Sequence, residues 1–201
     1  MKILKTFTVI TLLAVLSGCI PSLHPLYTRE DLIFEPSLVG KWQNEDKETW
    51  EFQKDGDKKY KLIVTDDGKK GEFEANLLKL KGIKNPEYKN VMFIDLYPER
   101  SIFKKSEMPE IYQAHLLPVH HFLLVTQIEP ELKMYVLDYD WFDDYIKENP
   151  GAVEYEKLED GGVLTADTKE LQKFMVNLIN NKVDAFEEMD AMKKITEKSA
   201  K

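Results

Sequence analysis

The stretch Tyr60-Lys61-Leu62-Ile63-Val64-Thr65-Asp66-Asp67-Gly68-Lys69-Lys70-Gly71-Glu72-Phe73-Glu74-Ala75-Asn76-Leu77 decides the fold. Tyr60, Leu62 and Val64 fall on one face of an extended chain. Phe73, Ala75 and Leu77 then alternate against Glu72, Glu74 and Asn76. A period of two belongs to a half-buried strand, not a helix. Between the two runs, Asp66-Asp67-Gly68-Lys69 supplies residues that tolerate the positive φ of a tight hairpin turn. The stretch therefore reads as two antiparallel neighbours.

The same pattern continues outward on both sides. Leu38 to Trp42 is a short strand, and Glu48 to Lys54 is another, with Trp50 and Phe52 on one face and Glu51 and Gln53 on the other. Val91 to Tyr97 is almost uniformly apolar and reads as a central strand. Ile111 to Leu117 and Phe122 to Ile128 are expected to form a second hairpin around Pro118-Val119-His120-His121. Glu129-Pro130-Glu131 then turns the chain into Lys133 to Asp138. Val153 to Leu158 and Gly162 to Ala166 form the last hairpin.

Two helices break the pattern. Asp140 to Asn149 carries an apolar stripe of Trp141, Tyr145 and Ile146, is capped by Asp138 or Asp140, and stops at Pro150-Gly151. Asp167-Thr168-Lys169-Glu170 is a capping box. It opens a helix over 168–180 in which Leu171, Phe174, Met175, Leu178 and Ile179 share a face. Val183 to Lys201, rich in Glu and Lys, is expected to be an exposed helical tail. The fold class is mainly β (α+β): an antiparallel up-and-down barrel or curved sheet with a short helix and a C-terminal helix.

The amino terminus has a separate logic. Lys2 and Lys5 precede an apolar run from Thr6 to Leu16, followed by Leu16-Ser17-Gly18-Cys19. The run is about 11 residues, too short for a spanning helix, which needs about 20. The order of charge, apolar core and small residues is that of an export signal. The tetrapeptide resembles the lipobox of bacterial lipoproteins. That resemblance implies a signal peptide over 1–18, cleavage before Cys19 and acylation of its sulfur and new amino terminus. Cys19 is the chain's single cysteine, so no intramolecular disulfide can form. Ile20, not Asp, follows it, so the signal that retains many enteric lipoproteins at the inner membrane is absent. The expected location is the cell envelope, at the outer membrane where the cell has one. The expected organisation is a lipidated tether over 19–36, a β-rich domain over 37–181 and a charged tail over 182–201. Within the tether, Tyr27, Leu32, Ile33 and Phe34 are candidates to pack on the domain.

Val39-Gly40-Lys41-Trp42, in the first strand, resembles the Gly-x-Trp signature of lipocalin-like (calycin) barrels. The resemblance implies that the glycine bends the chain while the indole plugs the closed end of a barrel. That family stacks an arginine near its last strand on the tryptophan. Here no arginine follows Arg100, so the contact is absent or made by a lysine. More broadly, the lipobox, Ser22-Leu23-His24-Pro25-Leu26-Tyr27, Gly40-Lys41-Trp42 and Leu116-Leu117-Pro118-Val119-His120 resemble a group of bacterial lipoproteins. This second resemblance implies an anchor and no activity.

Charge and composition narrow the function classes. The net charge is −8, and removing Lys2 and Lys5 makes the mature chain more acidic still. An acidic surface argues against nucleic acid and against broad adhesion to anionic headgroups. The only arginines are Arg29 and Arg100, so bidentate anion clamps are scarce. No Gly-x-Ser-x-Gly and no Gly-rich phosphate loop occurs. The expected partners are the bilayer, through acylated Cys19, and either an apolar ligand or another envelope protein; no cofactor is implied. An apolar or amphipathic ligand would be lined by Trp50, Phe52, Leu62, Phe73, Phe93 and Leu123, residues that an ordinary filled core would use equally. His115 and His120, with Asp138 and Asp140, are the nearest approach to metal ligands. Turn chemistry and helix capping explain them more simply, and adjacent histidines such as His120 and His121 point opposite ways. Non-enzymatic binding of an apolar or amphipathic ligand is the first expectation; interaction with or assembly of envelope proteins, without a ligand cavity, is the alternative, and a metal-dependent envelope enzyme is the third.

Overall fold

The computed structural model describes residues 20–99, 109–113, 115–159 and 161–195. The expected export signal over 1–18 and Cys19 lie outside the described residues. Seven strands follow one another up and down: β1 (Gly40–Gln43), β2 (Thr49–Asp55), β3 (Lys59–Asp66), β4 (Lys69–Leu78), β5 (Met92–Pro98), β6 (His121–Gln127) and β7 (Glu131–Leu137). Each pairs antiparallel with the next. The deciding hairpin forms as the sequence reads: Asp66 pairs with Lys69 across Asp67 (φ 46°) and Gly68 (φ 77°).

The eighth barrel strand comes from the far end of the chain. After a hairpin of β8 (Tyr155–Leu158) and β9 (Gly161–Leu164), and after β10 (Phe186–Glu188) has paired along β7, β11 (Met192–Ile195) inserts between β7 and β1 and closes the barrel. The expected helical tail is thus corrected over residues 183–195; its last six residues lie outside the described residues. Local Glu and Lys content favours helix, but β1 and β7 would otherwise leave two open edges, and pairing them outweighs propensity. A second correction concerns Ile111 to Leu117. Both neighbours of β6 are already β5 and β7, so no edge remains for that segment. It is instead the one-turn helix α1 (Glu110–Gln113), and residues 115–119 have no regular structure.

Gly40 and Lys194 make the closure specific. Trp42 is fully buried, donates Nε1–H to Leu38 O at 2.9 Å and pairs in register with Lys194. The Lys194 ammonium lies 5.0 Å from the centre of the Trp42 ring and donates to Ser37 O at 2.7 Å. A lysine therefore makes the closing contact. Gly40 has φ +133°, and a Cβ there would sit 2.8 Å from Lys194 Cε. The backbone at this φ favours glycine, and a side chain there would also push the end of Lys194 aside.

Alternation along the strands sorts two cores. Inside the barrel are Leu38, Trp42, Phe52, Tyr60, Leu62, Leu77, Ile94, Val125 and Leu132, among others. Outside it, Leu78, Phe93, Phe122 and Leu124 form a second core with α2 (Tyr139–Glu148) and α3 (Thr168–Asn181). Asp167 caps α3 by accepting from Glu170 N–H at 2.9 Å. All five residues of the expected face are buried, each contributing about 1.5–3 kcal/mol on burial. In α2 the fully buried residue is Phe142, edge-on to Phe174, while Trp141, Tyr145 and Ile146 are partly buried beside it.

Residues 20–36 are no loose tether. Leu26 is fully buried, and Ile20 and Leu32 nearly so. Ser22 pairs with His120 on one side and Leu164 on the other. Thr168 and Gln172 of α3 donate to Pro25 O and Leu26 O.

Two outcomes test the closure. Gly40→Ala is expected to lower unfolding free energy in urea by about 1–3 kcal/mol, the cost of holding a side chain in a sparsely populated backbone region. A chain stopped after Asp190, lacking β11, is expected to lose its cooperative unfolding transition by circular dichroism; retention of that transition would restore the reading of this segment as a tail.

Candidate functional site

Two places merit comparison: the barrel interior, and a buried polar cluster beneath the amino-terminal strap of residues 20–36. In the interior, rings lean on one another. Trp50 lies 6.2 Å from Phe52, Phe52 meets Tyr60 edge-on at 6.3 Å, and Tyr60 stacks on Phe34 at 5.1 Å. The Tyr60 hydroxyl donates to Glu35 O and accepts from Glu35 N–H, and burial pushes its pKa up. Leu62, Leu123 and Phe73 complete the packing.

Five of the six residues expected to line a ligand cavity therefore do face the interior. Phe93 does not: it lies in the outer core under the helices. Both faces of β5 are apolar, so alternation alone could not assign its phase. Two hollows among the described residues lie outside the barrel. One is a void of about 10 Å³ among Ile20, Phe122, Val136, Leu137 and Met175. The other is an open groove of about 430 Å³ edged by Lys84, Asn85, Pro86, Asn180 and Asn181. The first has room for about one water, and the second is open and lined mostly by amides.

The polar cluster centres on Asp95, which is fully buried on the outer face of β5. Its Oδ1 lies 2.7 Å from His120 Nδ1, and its Oδ2 accepts the Leu26 N–H at 2.8 Å. His120 rests against the Tyr97 ring at 4.5 Å. Across the strand pair, buried Asn76 donates to Glu74 at 3.0 Å, while Asn76 Oδ1 has no partner among the described residues. Burial raises the Asp95 pKa, outweighing the His120 and Leu26 bonds that lower it. Tyr27 is pushed up to about 12, by burial first and then by the charges of Glu74 and Asp95. Burial would also raise Glu74, but hydrogen bonds from Asn76 and Lys59 hold it below its usual range.

This pair is wired as a clamp. Ser22, whose backbone pairs with His120, donates its hydroxyl to His24 O at 2.8 Å, not to the imidazole. Ser22 is thereby not aligned with the Asp95–His120 pair in the way acyl transfer needs.

The expected metal candidates are not brought together. His115 is exposed and bonded to Ile111 O, whereas His120 is committed to Asp95. Asp138 caps α2 through Trp141 N–H at 2.8 Å, and Asp140 follows it in the first turn. Asp143 pairs with Lys147 and Lys157, and Asp144 with Lys147. Among the described residues no group of three or more His, Cys, Asp or Glu is disposed to hold a metal. His121 falls opposite Leu96, on the other face from His120, and burial lowers its pKa, with the charge of His120 adding to the effect. Comparison of the chain with protein-family models, curated proteins and solved structures found no match.

Asp95 was missed as a site residue although its signal was present: a lone carboxylate within Phe93-Ile94-Asp95-Leu96-Tyr97. A charge buried in a strand needs a partner, and the histidine before the next strand supplies it.

The clamp makes a pH prediction. Because the folded pKa of Asp95 lies above its ordinary 3.8, the folded chain keeps a proton that the unfolded chain has released. The stability linked to this group is fully present below that ordinary value and is lost as pH rises through the folded pKa. His120→Leu leaves the burial less opposed, so the loss is expected to extend to higher pH. At neutral pH, breaking the buried pair is expected to cost about 3–5 kcal/mol. Urea unfolding of both proteins across pH 4–8 checks it; parallel curves would refute the clamp.

Proposed function

We propose that this chain is an exported lipoprotein held in the cell envelope, at the outer membrane where there is one, through acylated Cys19. In this reading it acts without catalysis, by engaging another envelope protein through its outer surface. The observation that carries this choice over a ligand-carrying barrel is the interior itself. Trp50, Phe52, Tyr60 and Phe34 form a chain of ring contacts that takes up interior space, whereas ligand sites are commonly about 300–1,000 Å³. The anchor rests on the lipobox-like Leu16-Ser17-Gly18-Cys19 and the short apolar run before it. Among the described residues no helix is long and apolar enough to cross a membrane.

Native mass spectrometry of the protein purified from membranes tests the filled interior. The expected mass is the polypeptide with its anchor alone. A reproducible further mass of lipid size would overturn this reading in favour of a ligand inside the barrel. The anchor has its own test: Cys19→Ala is expected to abolish acyl labelling and move the protein to the soluble fraction, and labelling that persists would refute it.

A further inference from the structure

Ser22 is a meeting point of three chain segments, and the exposed apolar side chains gather on those same three. Among the described residues, the large hydrophobic side chains that stay exposed are Leu23, Ile111, Leu116, Leu117 and Leu158. Leu23 follows Ser22 on the strap. Ile111, Leu116 and Leu117 lie on the segment that runs into His120, which bridges Ser22 from one side. Leu158 closes the register of the β8–β9 hairpin, whose Leu164 bridges Ser22 from the other side. The bridges are made by backbone bonds of 2.8–2.9 Å, namely Ser22 N–H to His120 O, His120 N–H to Ser22 O and Leu23 N–H to Leu164 O. Leu117 is 68% exposed and Leu158 53%, far beyond what a satisfied core position shows.

The chain just before this point limits what can cover those residues. Ile20 is buried in the outer core, and Pro21 O accepts from Leu164 N–H. Cys19 is therefore separated from the pinned Ser22 by three residues, a reach of about 10 Å at full extension. There is no slack between the anchor position and the folded domain. A bilayer that holds the acyl chains must come close to Ser22, the residue that joins the three segments carrying the exposed apolar side chains.

The geometry points to a membrane-contacting edge: Leu23, Leu116, Leu117, Ile111 and Leu158 rest in the interfacial layer of the bilayer and fix the domain's orientation on it. The inference rests on the anchored reading above and goes beyond it, because a lipid anchor alone leaves orientation free. The occupant is a lipid surface recognised by its apolar layer. The net acidic chain offers no general attraction to anionic headgroups, so the contact is expected to be insensitive to salt. Isolated surface leucines are ordinary; that all five lie on the three segments joined at Ser22, next to the anchor position, is what calls for a cover.

The experiment uses the full acylated chain reconstituted into phosphatidylcholine vesicles. Acylation occupies the native cysteine, so Leu117→Cys and, separately, Lys58→Cys each present a single free thiol for an environment-sensitive fluorophore. Lys58 is exposed in the β2–β3 turn. In an up-and-down barrel that turn lies at the opposite end from the β5–β6 connection that carries Leu117. The expected result is a blue shift and a several-fold rise in emission at position 117 on vesicles, quenched by lipid-borne quenchers and unchanged by salt, with no change at position 58. Acylated, vesicle-bound protein whose position 117 stays water-like would overturn the edge and leave the anchor standing. Equal shifts at both positions would overturn a fixed orientation. A shift without vesicles would assign the edge to a second copy of the chain. Protein that neither takes up an acyl label nor floats with vesicles would overturn the anchored reading, and with it the edge.

Discussion

The carboxylate of Asp95 holds two layers of this protein together. It stands on the outer face of a barrel strand, out of water, and reaches both His120 and the Leu26 amide. An unpaired charge at such depth would be very costly, so the strap must lie where it does for the strand to exist as it is. Once Leu26 is fixed, the backbone of residues 20–23 meets the chain at His120 and Leu164, and Thr168 and Gln172 of α3 close over the strap carbonyls. The outer core, the two longer helices and the point where the chain enters the fold follow from this arrangement.

The fold was readable where local chemistry and tertiary demand agree. The Asp67-Gly68 turn, the alternation through Tyr60 and Leu77 and the capping box at Asp167 each specify one conformation, and each is found. Readability failed where the sheet's need for edges decided the outcome. Nothing in the Glu- and Lys-rich segment after residue 182 announces a strand; it becomes one because β1 and β7 have backbone groups to satisfy. Ile111 to Leu117 has strand-like residues, and it is no strand because every adjacent edge is taken.

The site was less legible than the fold. Trp50, Phe52, Leu62, Phe73 and Leu123 do share the barrel interior, but a list of apolar residues describes a filled interior as well as a hollow one, and ring contacts are what favours the filled one. Phe93 went to the wrong side because β5 is apolar on both faces, a pattern that arises when a barrel wall is also covered from outside. The histidines were weighed as possible metal ligands, whereas the informative residue was the single aspartate inside an apolar strand. A buried polar side chain carries more information than the apolar ones around it.

The pairing of β1 with β11 also sets an order of events. The first strand of the barrel cannot complete its hydrogen bonds until nearly all the described chain is available, because its second neighbour is β11. Contacts so distant in sequence form late, since the loop must be closed before the pairing can reward it. A chain emerging amino terminus first therefore carries an open sheet edge until its closing strand arrives. Until then the β1 backbone groups that face β11 remain open to any other extended segment, so the unfinished sheet is an edge on which a second chain could add a strand.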